Sequence, residues 1–440
     1  MTAEVTAAPD RTGLATPAQP WRRRMTARDS SSDHRASTNL ELLFDLTFVV
    51  AVAGAAHVLA QHLVAGRVGA GVEGYVAVFF SVWWAWVNFT WFASAYDTDD
   101  VPYRLLTLLQ MSGVLVLSAG VARAFDGDFA VVTVGYVIMR VAMVAQWLRA
   151  AASDPSSRTV CLRYAGGVAV VQVGWVARLA LPPALAWPGF AVLVLVEVVV
   201  PYWAERPGTT SWHPAHIAER YGLFTIIVLG EGIAQVGAVI QTAFTAGGVT
   251  PRLVVTAAEG LLLLFAMWWV YFAREAGDGL RERSRLAFFW GYGHYLVFAS
   301  VAAVAAGLDV AITALDGPAG QVVELSPVAV ALLIAIPVGV YLVVLGAMLG
   351  ALYGDLVPKL GRVVTAAVAT VAFASLTVWL PLTVTGALLV LPTLALVVDE
   401  IVIADRRARA APNPATSPSS PSVAVAPPSP TAGPVPGATR

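Results

Sequence analysis

The chain is 440 residues long, 58% hydrophobic and only 12% charged, with a mean hydropathy of +0.72 and a formal net charge of −1. Ordinary soluble domains carry about a quarter charged residues, so a soluble enzyme, a nucleic-acid binder and a disulfide-stapled secreted domain are all excluded. Uncharged runs of about 20 residues, the length that crosses a bilayer, make it an all-α polytopic membrane protein whose surroundings are lipid.

Residues 1–37 are polar, rich in Ala, Thr, Ser and Arg, and hold no signal-peptide core. They read as a disordered basic cytoplasmic tail ahead of a first helix that stays as an anchor. Twelve apolar segments follow, near 40–63, 74–95, 102–123, 129–149, 160–180, 185–204, 217–241, 252–273, 285–307, 327–351, 360–379 and 382–403. Open strands cannot satisfy their backbone in lipid, and barrel strands would alternate in polarity, so these are helices. They divide into a first six-helix half, 38–208, and a second, 209–405. The remainder, 406–440, turns to Pro, Ala and Ser from Pro412 to Pro436 and reads as a second disordered cytoplasmic tail.

Basic residues favour the cytoplasmic side of a membrane protein. With the N-terminus inside, 22 of the 27 Lys and Arg fall on the cytoplasmic side. Only Arg67, Arg123, Arg178 and Arg252 fall outside, and Arg140 alone lies within a span. Both termini are therefore expected in the cytoplasm. Lys359 is the only lysine, a skew toward arginine that accompanies GC-rich bacterial genomes. Cys161 is the only cysteine, which excludes an intrachain disulfide and a cysteine metal cluster.

An internal repeat relates the halves. Glu41–Ala56 aligns without a gap on Glu219–Ala234, with Glu41/Glu219, Thr47/Thr225, Val50/Val228, Gly54/Gly232 and Ala56/Ala234 coinciding. Glu73-Gly74 and Glu259-Gly260 come next, then Trp83-Trp84 and Trp268-Trp269, then Arg104-Leu105 and Arg285-Leu286. Both copies start inside, so the pattern predicts a parallel six-plus-six arrangement about an axis along the membrane normal.

Ionisable groups inside a bilayer are costly and mark function by default. Glu41 and Asp45 lie four apart on one face of the first helix. Favourable interaction with the helix start, behind a cap at Ser37, Thr38 or Asn39, explains Glu41. Asp45 sits a turn deeper and has a polar cavity as its other reading. Arg140 needs a carboxylate or a polar lumen, and Glu197 in the sixth helix is the partner that the sequence offers, either as a structural ion pair or as part of a pathway. Glu231, flanked by Gly230 and Gly232 midway along the seventh helix, is the leading proton- or cation-binding group. Its alternative is a hydrogen-bonded packing residue, with the glycines admitting a close helix. At the start of that helix His213, His216 and Glu219 recur every three residues beside Pro214 and Arg220. A cytoplasmic gate, a helix cap or a metal site are open there, although Glu231 is too far along to complete a ligand set. Asp97, Asp99 and Asp100 precede Arg104. They read as a cap and ion pair for the third helix, or as oxygen ligands for a hard cation. No nucleotide loop, GxSxG elbow or HExxH pair is present, so no catalytic residue, metal or cofactor is assigned.

Leu40-Glu41-Leu42-Leu43-Phe44-Asp45-Leu46 resembles the bacterial low temperature requirement A (LtrA) family. The resemblance continues through Trp91-Phe92 and Tyr96–Arg104 and is densest at Ser211-Trp212-His213-Pro214 and Glu219–Glu231. Leu43-Phe44 replaces the family's usual aromatic pair, and Gly232 stands where a serine is usual. The resemblance implies a multi-spanning bacterial membrane protein linked by name to growth in the cold, placed in the inner membrane, and implies no biochemical activity. Three functions follow as expectations. The first is a secondary transporter or ion-coupled carrier for a small solute or ion, using Glu231, Asp45, Glu41, Arg140 and Glu197, with His213, His216, Glu219, Arg220, Asp97, Asp99, Asp100 and Arg104 at the cytoplasmic gate. The second is a non-catalytic membrane adaptor with a dry interior. The third is an intramembrane enzyme for which His213, His216 and Glu219 converge on one point.

Overall fold

The computed structural model describes residues 21–27, 36–245, 248–316 and 322–410. Among these, twelve helices are long and apolar enough to cross a membrane, and no strand forms. They are α1 (Asn39–Val64), α2 (Val68–Tyr96), α3 (Val101–Ala119), α4 (Ala130–Ser153), α5 (Arg158–Arg178), α6 (Pro183–Ala204), α7 (Pro214–Thr245), α8 (Pro251–Phe272), α9 (Ala287–Asp316), α10 (Pro327–Tyr353), α11 (Leu356–Ser375) and α12 (Leu382–Ala410). The chain forms two compact units, Met1–Val397 and Val398–Arg440. Most of both predicted tails lies outside the described residues. Within the first, however, residues 21–27 are part of the fold: Met25 is buried, and Arg24 Nε donates to the Ser153 carbonyl at 3.0 Å.

Helix starts follow from local chemistry. Thr38 caps α1 in a capping box, its Oγ1 accepting from Glu41 N–H while the Glu41 carboxylate accepts from Thr38 N–H at 2.8 Å. Thr250 and Ser326 cap α8 and α10, each followed by a proline whose missing N–H costs nothing at that position. Gly354, at φ +76°, ends α10 in the left-handed conformation that glycine adopts without strain.

Several boundaries depart from the expected segments. The third segment breaks at Gly120, and Val121–Phe125 forms a separate short helix. The ninth, expected to end near residue 307, continues to Asp316 and holds Asp309 within it. The twelfth continues to Ala410, its last turn joined by an Asp405–Arg409 pair at 2.9 Å. Close approach relies on small residues: a Cβ at Gly113 would meet the Gly135 carbonyl at 2.8 Å, and one at Gly346 would meet Val363 at 2.5 Å. α2 is the most enclosed helix and α6 the most peripheral.

Candidate functional site

The starts of α1 and α7 meet beside the end of α2, and a wholly buried ionic cluster forms there. Arg220 of α7 grips Asp45 of α1 with Nε at 3.0 Å and Nη2 at 2.5 Å. Trp86 of α2 donates its indole N–H to the same Asp45 oxygen at 2.7 Å. Thr90, one turn along α2, accepts from Arg220 at 3.4 Å. Glu41 adds the second acid: its Oε1 lies 3.2 Å from Arg220 Nη1 and 3.2 Å from His216 Nε2. None of these four ionisable side chains exposes more than 1% of its surface. The periodicities explain the meeting. Glu41 and Asp45 are one turn apart on α1, and His216 and Arg220 are one turn apart on α7, so two helix faces present matched pairs.

His213 serves as the cap of α7. Its Nδ1 accepts from His216 N–H at 3.2 Å, as a Ser or Asp oxygen would, and its own N–H donates to Ser94 Oγ at 3.0 Å. Aromatic rings wall the cluster: Trp86 stacks on Phe224 at 4.4 Å and meets Tyr221 edge-on at 4.8 Å. The sequence assigns Glu41 and Asp45 to a pathway and His216 and Arg220 to a gate; the structure joins all four in one network.

A second buried cluster joins α2, α4, α5 and α6. Glu197 of α6 accepts from Trp84 Nε1 at 2.6 Å, Trp175 Nε1 at 3.1 Å and the Tyr136 hydroxyl at 3.2 Å. Arg140 Nη2 stands 3.7 Å from the Glu197 carboxylate, and the guanidinium both donates to the Tyr136 hydroxyl and covers the Tyr136 ring at 4.4 Å. Three helices, α2, α4 and α5, are thus tied to one carboxylate on a fourth, α6.

Other sequence candidates stand apart. Glu231 is half-buried and accepts from Gln235 at 3.2 Å; it lies eleven residues beyond Arg220, about 16 Å along the helix. Asp100 caps α3, accepting from Arg23 N–H at 2.8 Å, Tyr103 N–H at 2.9 Å and Arg149 Nη2 at 2.7 Å. Burial pushes this carboxyl up, but the three donors more than offset it and hold its pKa below the usual carboxylate range. Asp97 Oδ1 accepts from Asp99 N–H at 3.1 Å, and Asp99 pairs with Arg104 through two bonds, of 2.7 and 2.9 Å, at the surface. Glu219 accepts from Ser37 N–H at 3.1 Å and lines a cleft of about 390 Å³. That cleft enters between α7, α8, α9 and α10 past Arg274 and Asp278 and reaches Tyr271 and His294. His294 Nδ1 donates to the Trp290 carbonyl at 2.8 Å, so in its neutral form Nε2 accepts from the Tyr271 hydroxyl at 2.9 Å.

Sequence reasoning missed several acids inside spans, among them Glu259 on α8 and Asp309 on α9. Both are half-buried, and Asp309 interacts electrostatically with His57 of α1. The signal was present in each case, a lone charge in an apolar run; Glu259 entered only as a repeat match, and Asp309 fell past the supposed end of its segment. Among the described residues no group of three or more His, Cys, Asp or Glu side chains is arranged to hold a metal ion.

Fold and clusters together define a multi-pass helical membrane protein with ionic networks inside its bundle. The chain belongs to the bacterial low temperature requirement A (LtrA) family, whose model matches residues 36–398. It is also 28% identical over 298 residues to an uncharacterised protein of Rhizobium meliloti (strain 1021), covering 64% of this chain and 71% of that one.

Proposed function

We propose that the protein is a secondary carrier of a small solute or ion in the bacterial inner membrane, with both termini cytoplasmic, and that the Glu41–Asp45–Arg220–His216 cluster is its gate. One observation carries the reading: the acids of the cluster stand on α1 and the bases on α7, the two helices that would open the two halves of a six-plus-six repeat. In a carrier whose halves rock about a central site, contacts across the halves at one face must break in each cycle. Two carboxylates face one guanidinium and one imidazole, so the cluster is neutral only while it holds one extra proton. Loss of that proton leaves an uncompensated charge in a dry site, which is costly and favours separation of the helices. Proton release and opening are thereby coupled. The cleft beside Glu219 supplies a vestibule on the cytoplasmic side, and Glu231, farther along α7, is a second proton or cation group on the path.

A membrane adaptor is the second reading, favoured by the Glu197 cluster, where three neutral donors and Arg140 make a permanent lock. The enzyme reading loses support because His216 turns to Glu41 while Glu219 turns to Ser37.

The test is reconstitution in liposomes holding a pH-sensitive dye, with candidate ions and solutes added outside in turn. Wild type should show a flux that Asp45→Asn and Glu231→Gln abolish. Folded protein that moves neither protons nor solute under any condition would overturn the carrier reading.

A further inference from the structure

Glu259 lies eight residues into α8, about 12 Å from its start and within a membrane span. It is half-buried and has no hydrogen-bond or ion-pair partner among the described residues. An ionisable group at such a depth is expensive and needs something to satisfy it. Its carboxylate borders a cavity of about 30 Å³ between α8, α9, α10 and α12, room for one water molecule or one ion. Most of the remaining wall is aliphatic, with Leu263, Leu308 and Leu389 among its residues.

Two further features converge on this cavity. Thr256, one turn before Glu259 and on the same face, also lines it; this side chain is buried, and its hydroxyl has no hydrogen-bond partner. α12 crosses so closely at Gly386 that a Cβ there would collide with Glu259 Oε2, so the absent side chain is what leaves room for the carboxylate.

We infer that Glu259 and Thr256 form a binding site for a monovalent alkali cation of sodium's size. Oxygen-only donors suit a hard cation. One carboxylate neutralises one positive charge, whereas a divalent ion would leave a net charge among leucines. A water molecule could satisfy the Thr256 hydroxyl but would leave the carboxylate uncompensated, and a proton could neutralise the carboxyl but would neither fill the cavity nor reach the Thr256 hydroxyl. The inference deepens the carrier reading by naming its coupling ion, and it rests on that reading for this role alone.

The test is equilibrium binding of radioactive sodium to the purified full chain, with no membrane and no gradient, against potassium and choline as competitors. Wild type should bind sodium saturably, close to one ion per chain, and choline should not displace it. Glu259→Gln should abolish binding, and Gly386→Ala, which keeps the acid but pushes its carboxylate out of position, should abolish it too. Thr256→Val keeps the shape and should weaken binding about tenfold or more, as expected for a lost bond to a charged partner. Continued protection of buried Cys161 from thiol reagents checks that each variant is folded. No saturable binding by wild type, or binding unchanged in Glu259→Gln or in folded Thr256→Val, overturns the site. Sodium binding without any flux in liposomes leaves the site standing and counts against the carrier reading only.

Discussion

Asp45→Asn, Arg220→Met and their combination test whether the α1–α7 cluster is a dry ionic lock. Asp45 accepts two bonds from Arg220 and one from Trp86, and neither ionisable side chain is exposed. Removing one partner of a buried pair costs about 3–5 kcal/mol, chiefly because the other charge is left uncompensated. Asparagine keeps an acceptor for Trp86, and Glu41 remains 3.2 Å from Arg220 Nη1, so Asp45→Asn belongs at the lower end, about 3 kcal/mol. Arg220→Met strands two carboxylates one turn apart and belongs at the upper end, about 5 kcal/mol. The double variant removes both charges of the closest pair and should cost much less than the sum, with a coupling of about 3 kcal/mol. Cys161, the only cysteine and buried, makes the assay simple: a thiol-reactive fluorophore labels it when the bundle opens. Where reclosing outpaces labelling, the rate follows the open population, so 3 kcal/mol appears as about 150-fold faster labelling at 1.36 kcal/mol per decade. Single variants that accelerate labelling less than about fivefold, as an exposed pair would, or effects that simply add, would refute the reasoning.

Glu197→Gln leaves Arg140 buried without a counter-charge and should cost about 3–5 kcal/mol, whereas Asp99→Asn at the surface should cost less than about 1 kcal/mol; both are read by the same labelling assay. Gly135→Ala would drive a methyl group into the backbone of Leu117 and Gly113, which cannot yield, and should cost about 1–3 kcal/mol in thermal unfolding. Asp100 has a lowered folded pKa, so its contribution is complete above its unfolded value of about 3.9 and is lost as pH falls through the folded one. The stability difference between wild type and Asp100→Asn should therefore be constant from pH 7 to about 5 and shrink below about 4; a difference that grows on acidification would contradict the assigned bonds.

The fold was largely legible because the bilayer reduces the problem to counting apolar runs and their breaks. Errors arose where a residue acts against its type. Asp309, past the expected end of its segment near residue 307, lies within a helix, since a helix can hold a carboxylate in lipid if its side chain reaches a polar neighbour. Gly120 fell inside the expected third segment and ends a helix. The site was legible residue by residue but not as a site. Glu41, Asp45, His216 and Arg220 each carried a polar signal, yet periodicity says only which residues share a face, never which faces meet across 175 residues of chain. His213 shows the same limit at short range: its spacing to His216 suggested a shared ligand set, whereas its ring accepts a backbone N–H.

Charge balance orders three of the intramembrane acid sites by what must complete them. At Glu197 one carboxylate meets one guanidinium and three neutral donors, so the protein satisfies it from its own residues and the unit can remain closed. At Glu41 and Asp45 two carboxylates meet one guanidinium and one imidazole, so the balance turns on a single proton and the state of the cluster follows its surroundings. At Glu259 no base stands opposite, so only something from outside the chain can neutralise it. A structural lock, a proton-dependent contact and an ion site are the three consequences of the same desolvation cost, met with one, two or no resources from the neighbouring helices. The order also fixes how substitutions should behave. Neutralising Glu197 should harm folding most and ion dependence least, and neutralising Glu259 should do the reverse. Neutralising Asp45 should disturb both.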